Sequence, residues 1–192
     1  MALSYPVMLR LQAKPVLVVG AGPVAARKIG DLVAAGARVT VIAPAIVDEI
    51  RVMPVTVKER AYEPGDVAGF RFVIVSTNDP AVQQLVFDEC EAAGIWCNAA
   101  DDPERCSVTL PAVARRGPVT VAVATDGASP ALAGVLRDRA AAVIPAHIEE
   151  VVATISAQRQ AMRRRDQSTE SIDWKPMVRR LLDGATGDAS DA

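Results

Sequence analysis

A short apolar stretch, Pro15-Val-Leu-Val-Val19, runs straight into Gly20-Ala-Gly22-Pro-Val-Ala25, and a helical pattern follows at once. Few sequences constrain a fold more. A buried-type strand entering Gly-x-Gly-x-x-Ala at the head of a helix is the wiring of a dinucleotide-binding turn. Gly20 can take the tight turn, Gly22 lets a pyrophosphate approach bare backbone, and Ala25 keeps helix and strand close. The free N–H groups of the helix start, from Val24 onward, then face the phosphates with the helix dipole assisting.

Apolar runs continue the pattern. Strands are expected near 38–43, 55–60, 72–76 and 95–98, with helices near 24–35, 46–52 and 79–93. Asp79-Pro80 and Ser129-Pro130 each read as an N-cap followed by proline at the first helical position. Strands separated by helices of this length give right-handed crossovers and a parallel sheet. Past Asn98 the pattern changes. Strand-like runs at 106–110 and 118–124 have no helix-sized segment between them, and helices are expected near 130–142, 145–165 and 174–182. The fold class read here is α/β: a Rossmann-like parallel sheet, then a small β-plus-helix dimerisation module and a C-terminal helical region. The expected boundaries are 1–112, 113–145 and 146–192, the last with a frayed tail.

Composition excludes several classes. With 4% aromatic residues, base-stacking platforms are not expected, and a net charge of −2 gives no case for a nucleic-acid partner. No apolar run is long enough for a bilayer, and the opening residues do not read as a signal peptide. Cys90, Cys97 and Cys106 lack metal-ligand spacing and fit a reducing cytoplasm, so no metal site is expected. The Tyr and Lys four residues apart that short-chain dehydrogenases use are absent: Tyr62 is followed by Asp66 and Tyr5 by Leu9.

Further candidate residues sit at strand ends. The second strand ends in Ala43-Pro44-Ala45 without the acid that selects NAD or the arginine that suits NADP, although the Pro44 and Ala45 backbone could touch the ribose. Thr77 and Asn78 follow the fourth strand and can bind a ribose or nicotinamide amide, or else merely start a helix. In Asn98-Ala-Ala-Asp101-Asp102-Pro103, Asp102 has a capping task, which leaves Asp101 as a base or a partner for a cationic nitrogen. Thr125-Asp-Gly-Ala-Ser129 forms a strand-to-helix junction suited to an anion. Arg115, Arg116 and Arg137 flank it and could meet substrate carboxylates.

These segments resemble one family in unbroken order over about residues 3–150. They include Tyr5-Pro6-Val-Met-Leu, Val18-Val-Gly-Ala-Gly-Pro-Val-Ala-Ala-Arg27-Lys28, Ser76-Thr-Asn-Asp, Cys97-Asn-Ala-Ala-Asp101, Leu110-Pro-Ala and Val121-Ala-Val-Ala-Thr-Asp-Gly-Ala-Ser-Pro-Ala-Leu132-Ala. The family is the precorrin-2 dehydrogenase module, also found as the N-terminal half of siroheme synthase. The resemblance implies NAD-dependent oxidation of the tetrapyrrole precorrin-2 to sirohydrochlorin, in siroheme or cobalamin biosynthesis. It implies a homodimer, an essential aspartate at the position of Asp101, and dinucleotide contacts at Pro23, Val24, Pro44 and Ala45. Two departures are the turn Gly20-Ala21-Gly22, where the family has three glycines, and the acidic Asp126 in the 125–127 loop. The alternatives are a bifunctional dehydrogenase and sirohydrochlorin ferrochelatase, and a non-enzymatic NAD(H)-sensing dimeric module.

Overall fold

The computed structural model describes residues 4–99, 102, 105–170 and 172–184. The chain divides into two compact units, Met1–Leu110 and Pro111–Ala192.

The first unit is a five-stranded parallel sheet built from β1 (Pro15–Val19), β2 (Arg38–Ala43), β3 (Thr56–Glu59), β4 (Phe72–Val75) and β5 (Trp96–Ala99), in the order β3-β2-β1-β4-β5. The Rossmann-like reading is borne out. Burial of β1 on both faces explains its unbroken apolar sequence. Val16 and Val18 pack with Ala25, Ile29 and Leu32 of α1 (Pro23–Ala34) and with Ile50 of the short α2 (Asp48–Arg51). Leu17 and Val19 face the other way, onto Val86 and Cys90 of α3 (Pro80–Ala93). Asp79 caps α3 through the Ala81 and Val82 N–H groups, and Gly94 ends the helix at φ 63°.

The chain runs outward through β1, β2 and β3 and then returns to β4 and β5 on the other side. The reversal falls between β1 and β4, and open α/β sheets bind ligands at the carboxyl ends of such strands.

The expected strand at 106–110 is not formed. Cys106 makes only an isolated antiparallel bridge to Asn98. The reason lies in Ser107, whose hydroxyl accepts from the Cys97 N–H at 2.8 Å and so replaces a backbone ladder bond. Residues 106–108 instead cover the outer edge of β5, the Val108 N–H donating to the Cys97 carbonyl at 3.0 Å.

In the second unit, β6 (Ala112–Arg116) and β7 (Val119–Val123) form an antiparallel hairpin. Gly117 at φ 52° and Pro118 make its two-residue turn, which pairs Arg116 with Val119. Helix α4 (Pro130–Ala142) lies against both strands, and α5 (Ile148–Arg164) packs with α6 (Lys175–Leu182). The Arg116 guanidinium donates to the Ile144 carbonyl, and the His147 imidazole Nε2 lies 3.0 Å from the Leu181 carbonyl.

Candidate functional site

Three strand ends converge in the first unit. After β1, Gly20 adopts φ 104° and donates its N–H to the Ile42 carbonyl of β2 at 2.9 Å. A Cβ on Gly20 would lie 2.2 Å from the Ser76 carbonyl oxygen, just past β4. Gly20 is therefore demanded by the protein itself, through both its dihedral and its neighbour. Gly22 differs. It is the N-cap of α1 at φ −85° and ψ −176°, a conformation open to any residue, and an added Cβ would meet nothing within 4 Å. Nothing in the protein requires glycine there, whereas a ligand approaching the backbone would. No side chain caps α1, and its first turn carries no acid, so its positive end is open to an anion. These features fit a dinucleotide pyrophosphate.

The other expected cofactor contacts surround this turn. Pro23 and Val24 are exposed at the helix start, and Ala25 is fully buried between helix and sheet. Pro44 and Ala45 are exposed at the end of β2, and the following loop is tied back by the Val47 N–H donating to the Ala21 carbonyl at 3.2 Å. Asn78 is exposed after β4. The Thr77 hydroxyl accepts from the Asp79 N–H at 3.3 Å, and the Thr77 carbonyl accepts from Gln83 Nε2 at 2.6 Å. Thr77 thus helps build the start of α3, the second of the two tasks open to it.

Asp101, the expected catalytic acid, lies outside the described residues. Its neighbour Asp102 accepts from the Arg105 N–H at 3.3 Å and pairs with the Arg105 guanidinium, the capping task anticipated for it. Between β5 and this turn the sequence reading missed a polar cluster. Asn98 is only 6% exposed, and Lys28 Nζ of α1 donates to its Oδ1 at 3.2 Å. Its amide nitrogen donates to the Val108 carbonyl at 2.9 Å and contacts Cys106 Sγ at 3.6 Å. The Cys106 thiol reaches the carbonyls of Ala99 and Asp102, both at 3.2 Å. Burial pushes this thiol above its ordinary range, and the Lys28 charge works against that shift.

The expected substrate contacts all lie in the second unit. Thr125 Oγ1 accepts from the Ser129 N–H at 3.1 Å and closes the loop, while Ser129 Oγ caps α4 through the Leu132 N–H at 3.2 Å. Arg115 and Arg116 are exposed at the end of β6, on opposite faces by strand periodicity. Arg116 is engaged with Ile144, and Arg137 pairs with Asp138 at 2.7 Å. Among the described residues, no group of three or more His, Cys, Asp or Glu could hold a metal ion, and no helix is long and apolar enough to cross a membrane. A shallow cavity of about 620 Å³ lies at the amino ends of β4 and β5, lined by residues such as Phe70, Arg71 and Trp96, the end of the sheet away from the glycine turn.

Comparison with known proteins agrees with this geometry. Residues 7–112 match the family described as "Putative NAD(P)-binding". The chain is 37% identical over 164 residues to siroheme synthase 1 of Aeromonas salmonicida (strain A449), covering 83% of this chain and 35% of that protein. It is 37% identical over 184 residues to the siroheme synthase of Thioalkalivibrio sulfidiphilus (strain HL-EbGR7), covering 94% and 37%. The chain therefore spans about a third of the length of these curated relatives. A solved structure, that of SirC, a precorrin-2 dehydrogenase, superposes with a TM-score of 0.70 at 27% identity, covering 96% of this chain and 90% of that one. The resemblance drawn from the sequence is borne out.

Proposed function

The chain belongs to the family of putative NAD(P)-binding proteins, and on that premise we propose that it oxidises precorrin-2 to sirohydrochlorin with NAD⁺. The observation that carries the proposal is the open, uncapped glycine turn at Gly22 beside the β1–β4 reversal, set in a chain similar along nearly its whole length to the precorrin-2 dehydrogenase SirC. Gly20, Gly22, Pro23, Val24 and Ala25 would hold the pyrophosphate, with Pro44, Ala45, Thr77 and Asn78 beside the riboses and nicotinamide. Bound there, NAD⁺ supplies a hydride acceptor. Asp101 takes a proton from the tetrapyrrole or steadies its cationic nitrogens as conjugation extends. Arg115, Arg116, Arg137, Thr125 and Ser129 are the proposed partners of its carboxylates, several of them also engaged in local structure.

A homodimer belongs to the same reading. Leu132, Val135 and Leu136 share one face of α4 by their spacing and are 50%, 51% and 40% exposed, an apolar strip suited to a second copy. A cytoplasmic location is also proposed, since Cys90, Cys97 and Cys106 are all free thiols.

The test is anaerobic incubation with precorrin-2 and NAD⁺, following NADH. Wild type should form NADH in step with product, and Asp101→Ala should lose most turnover while keeping NAD⁺ binding. A wild-type chain that binds NAD⁺ but forms no NADH would indicate a sensing module instead. Addition of Fe²⁺ after oxidation would reveal any chelatase step.

A further inference from the structure

Asn98 is the one buried polar side chain recorded among the described residues of an otherwise apolar core. Buried amides persist where their hydrogen bonds are made, and each bond of Asn98 leads to a different segment. Its Oδ1 takes the Lys28 ammonium from α1, the helix whose first turn forms the cofactor cradle. Its Nδ2 takes the Val108 carbonyl, on the strip covering the edge of β5. Cys106, which touches the same amide nitrogen, reaches the carbonyls of Ala99 and Asp102, on either side of residues 100 and 101. The cluster thus joins the cofactor helix to both flanks of the segment that carries the proposed acid.

Lysine is a telling choice for the helix end of this chain of bonds. An ammonium drawn into a half-buried position costs desolvation, so a core built for stability alone would favour an apolar residue there. Lys28 also acts electrostatically on the Cys106 thiol, as does Asp102 with opposite sign, so three charged or titratable groups meet at the carboxyl end of β5.

We propose that Lys28, acting through Asn98 and Cys106, is a positioning residue that holds the carboxyl end of β5 in register with the cofactor helix for catalysis. This deepens the dehydrogenase reading and rests on it. A side chain that sets where another group stands should change turnover more than cofactor affinity, because misplacement of about 1 Å can cost about a hundredfold in rate.

The experiment compares wild type, Lys28→Met and Lys28→Arg as full-length chains with two readouts. The first is amide hydrogen exchange without cofactor. Lys28→Met should exchange several-fold faster across 97–108, with β1 and β2 unchanged. The second is steady-state oxidation of precorrin-2. Lys28→Met should lose about ten- to a hundredfold in kcat with little change in KM for NAD⁺, and Lys28→Arg should recover part of it. Unchanged exchange in 97–108 overturns the proposal whatever the turnover. So does faster exchange with wild-type kcat. Faster exchange in the variant, together with a wild type that never forms NADH, upholds the coupling of α1 to β5 and places the failure in the dehydrogenase reading.

Discussion

Gly20 and Gly22 have different tasks in the turn, and alanine at each should fail for a different reason. At Gly20 two penalties add. The dihedral, φ 104°, lies where an L-residue costs about 1–2 kcal/mol. The new methyl would lie 2.2 Å from the Ser76 oxygen and 2.5 Å from its carbonyl carbon, both backbone atoms that cannot rotate aside. Forced repacking of that kind costs about 1–3 kcal/mol. The sum, about 2–5 kcal/mol, is a large share of the roughly 5–15 kcal/mol that holds a domain folded. For a unit of about a hundred residues it lowers Tm by about 10 °C or more.

At Gly22 neither penalty applies. Its extended backbone accepts alanine, and the methyl would have open space around it. The only folding cost is the poorer capping of alanine, about 0.5 kcal/mol. That methyl would instead stand where the proposed cradle brings the pyrophosphate onto bare backbone, and a tenfold loss of NAD⁺ affinity is about 1.4 kcal/mol. Thermal unfolding without ligand, paired with calorimetric NAD⁺ titration, separates the two. Gly20→Ala should show the large Tm loss; Gly22→Ala should keep Tm within a few degrees and lose tenfold or more in Kd. Wild-type affinity in Gly22→Ala would refute the cradle, and wild-type Tm in Gly20→Ala would refute the steric argument.

Asp79→Ala removes the side-chain cap from two N–H groups of α3 and should cost about 1 kcal/mol in urea unfolding, with Asp79→Ser restoring most of it. Asp66 meets the Arg60 guanidinium through two 2.6 Å hydrogen bonds, which hold its carboxyl below the usual range against the effect of burial. The stabilisation this gives is present above the unfolded pKa of about 3.9 and drains away as pH falls through the lower folded value. Arg60 is a third exposed, so screening keeps the contribution small. Asp66→Asn should be less stable than wild type at neutral pH, and the gap should close in strong acid; a gap that persists there contradicts the linkage. Val135→Glu on the exposed face of α4 should shift light scattering from twice 20.2 kDa toward a single chain, and an unchanged mass would move the interface elsewhere.

What the sequence made legible was local. The α3 start was readable to the residue because the Asp79 carboxylate accepts from N–H groups two and three positions away and Pro80 fixes a helical φ at the first position. The same holds for Ser129 and α4, and for the glycine turn, whose strand-to-helix geometry is set by six consecutive residues. The 106–110 run has strand-like residues too, but its fate depended on Ser107 reaching Cys97, ten positions back. The hairpin strand lies instead at 112–116, where Gly117-Pro118 sets the register with Val119.

The Lys28–Asn98 bond spans 70 positions, and no periodicity rule reports on such a pairing. It still left one trace. Strand β5 reads Trp-Cys-Asn-Ala, and its asparagine stands in register with Ile74 of β4, Val18 of β1 and Val41 of β2, all buried. A buried amide lowers stability unless something satisfies it, and satisfying it takes groups brought in from elsewhere in the chain. An isolated polar residue at the carboxyl end of a buried strand therefore carries long-range information. It announces that other segments converge there, and in an open parallel sheet those strand ends are also where ligands bind. The sequence could mark Asn98 as the meeting point, but only the fold could show that Lys28 is what it meets.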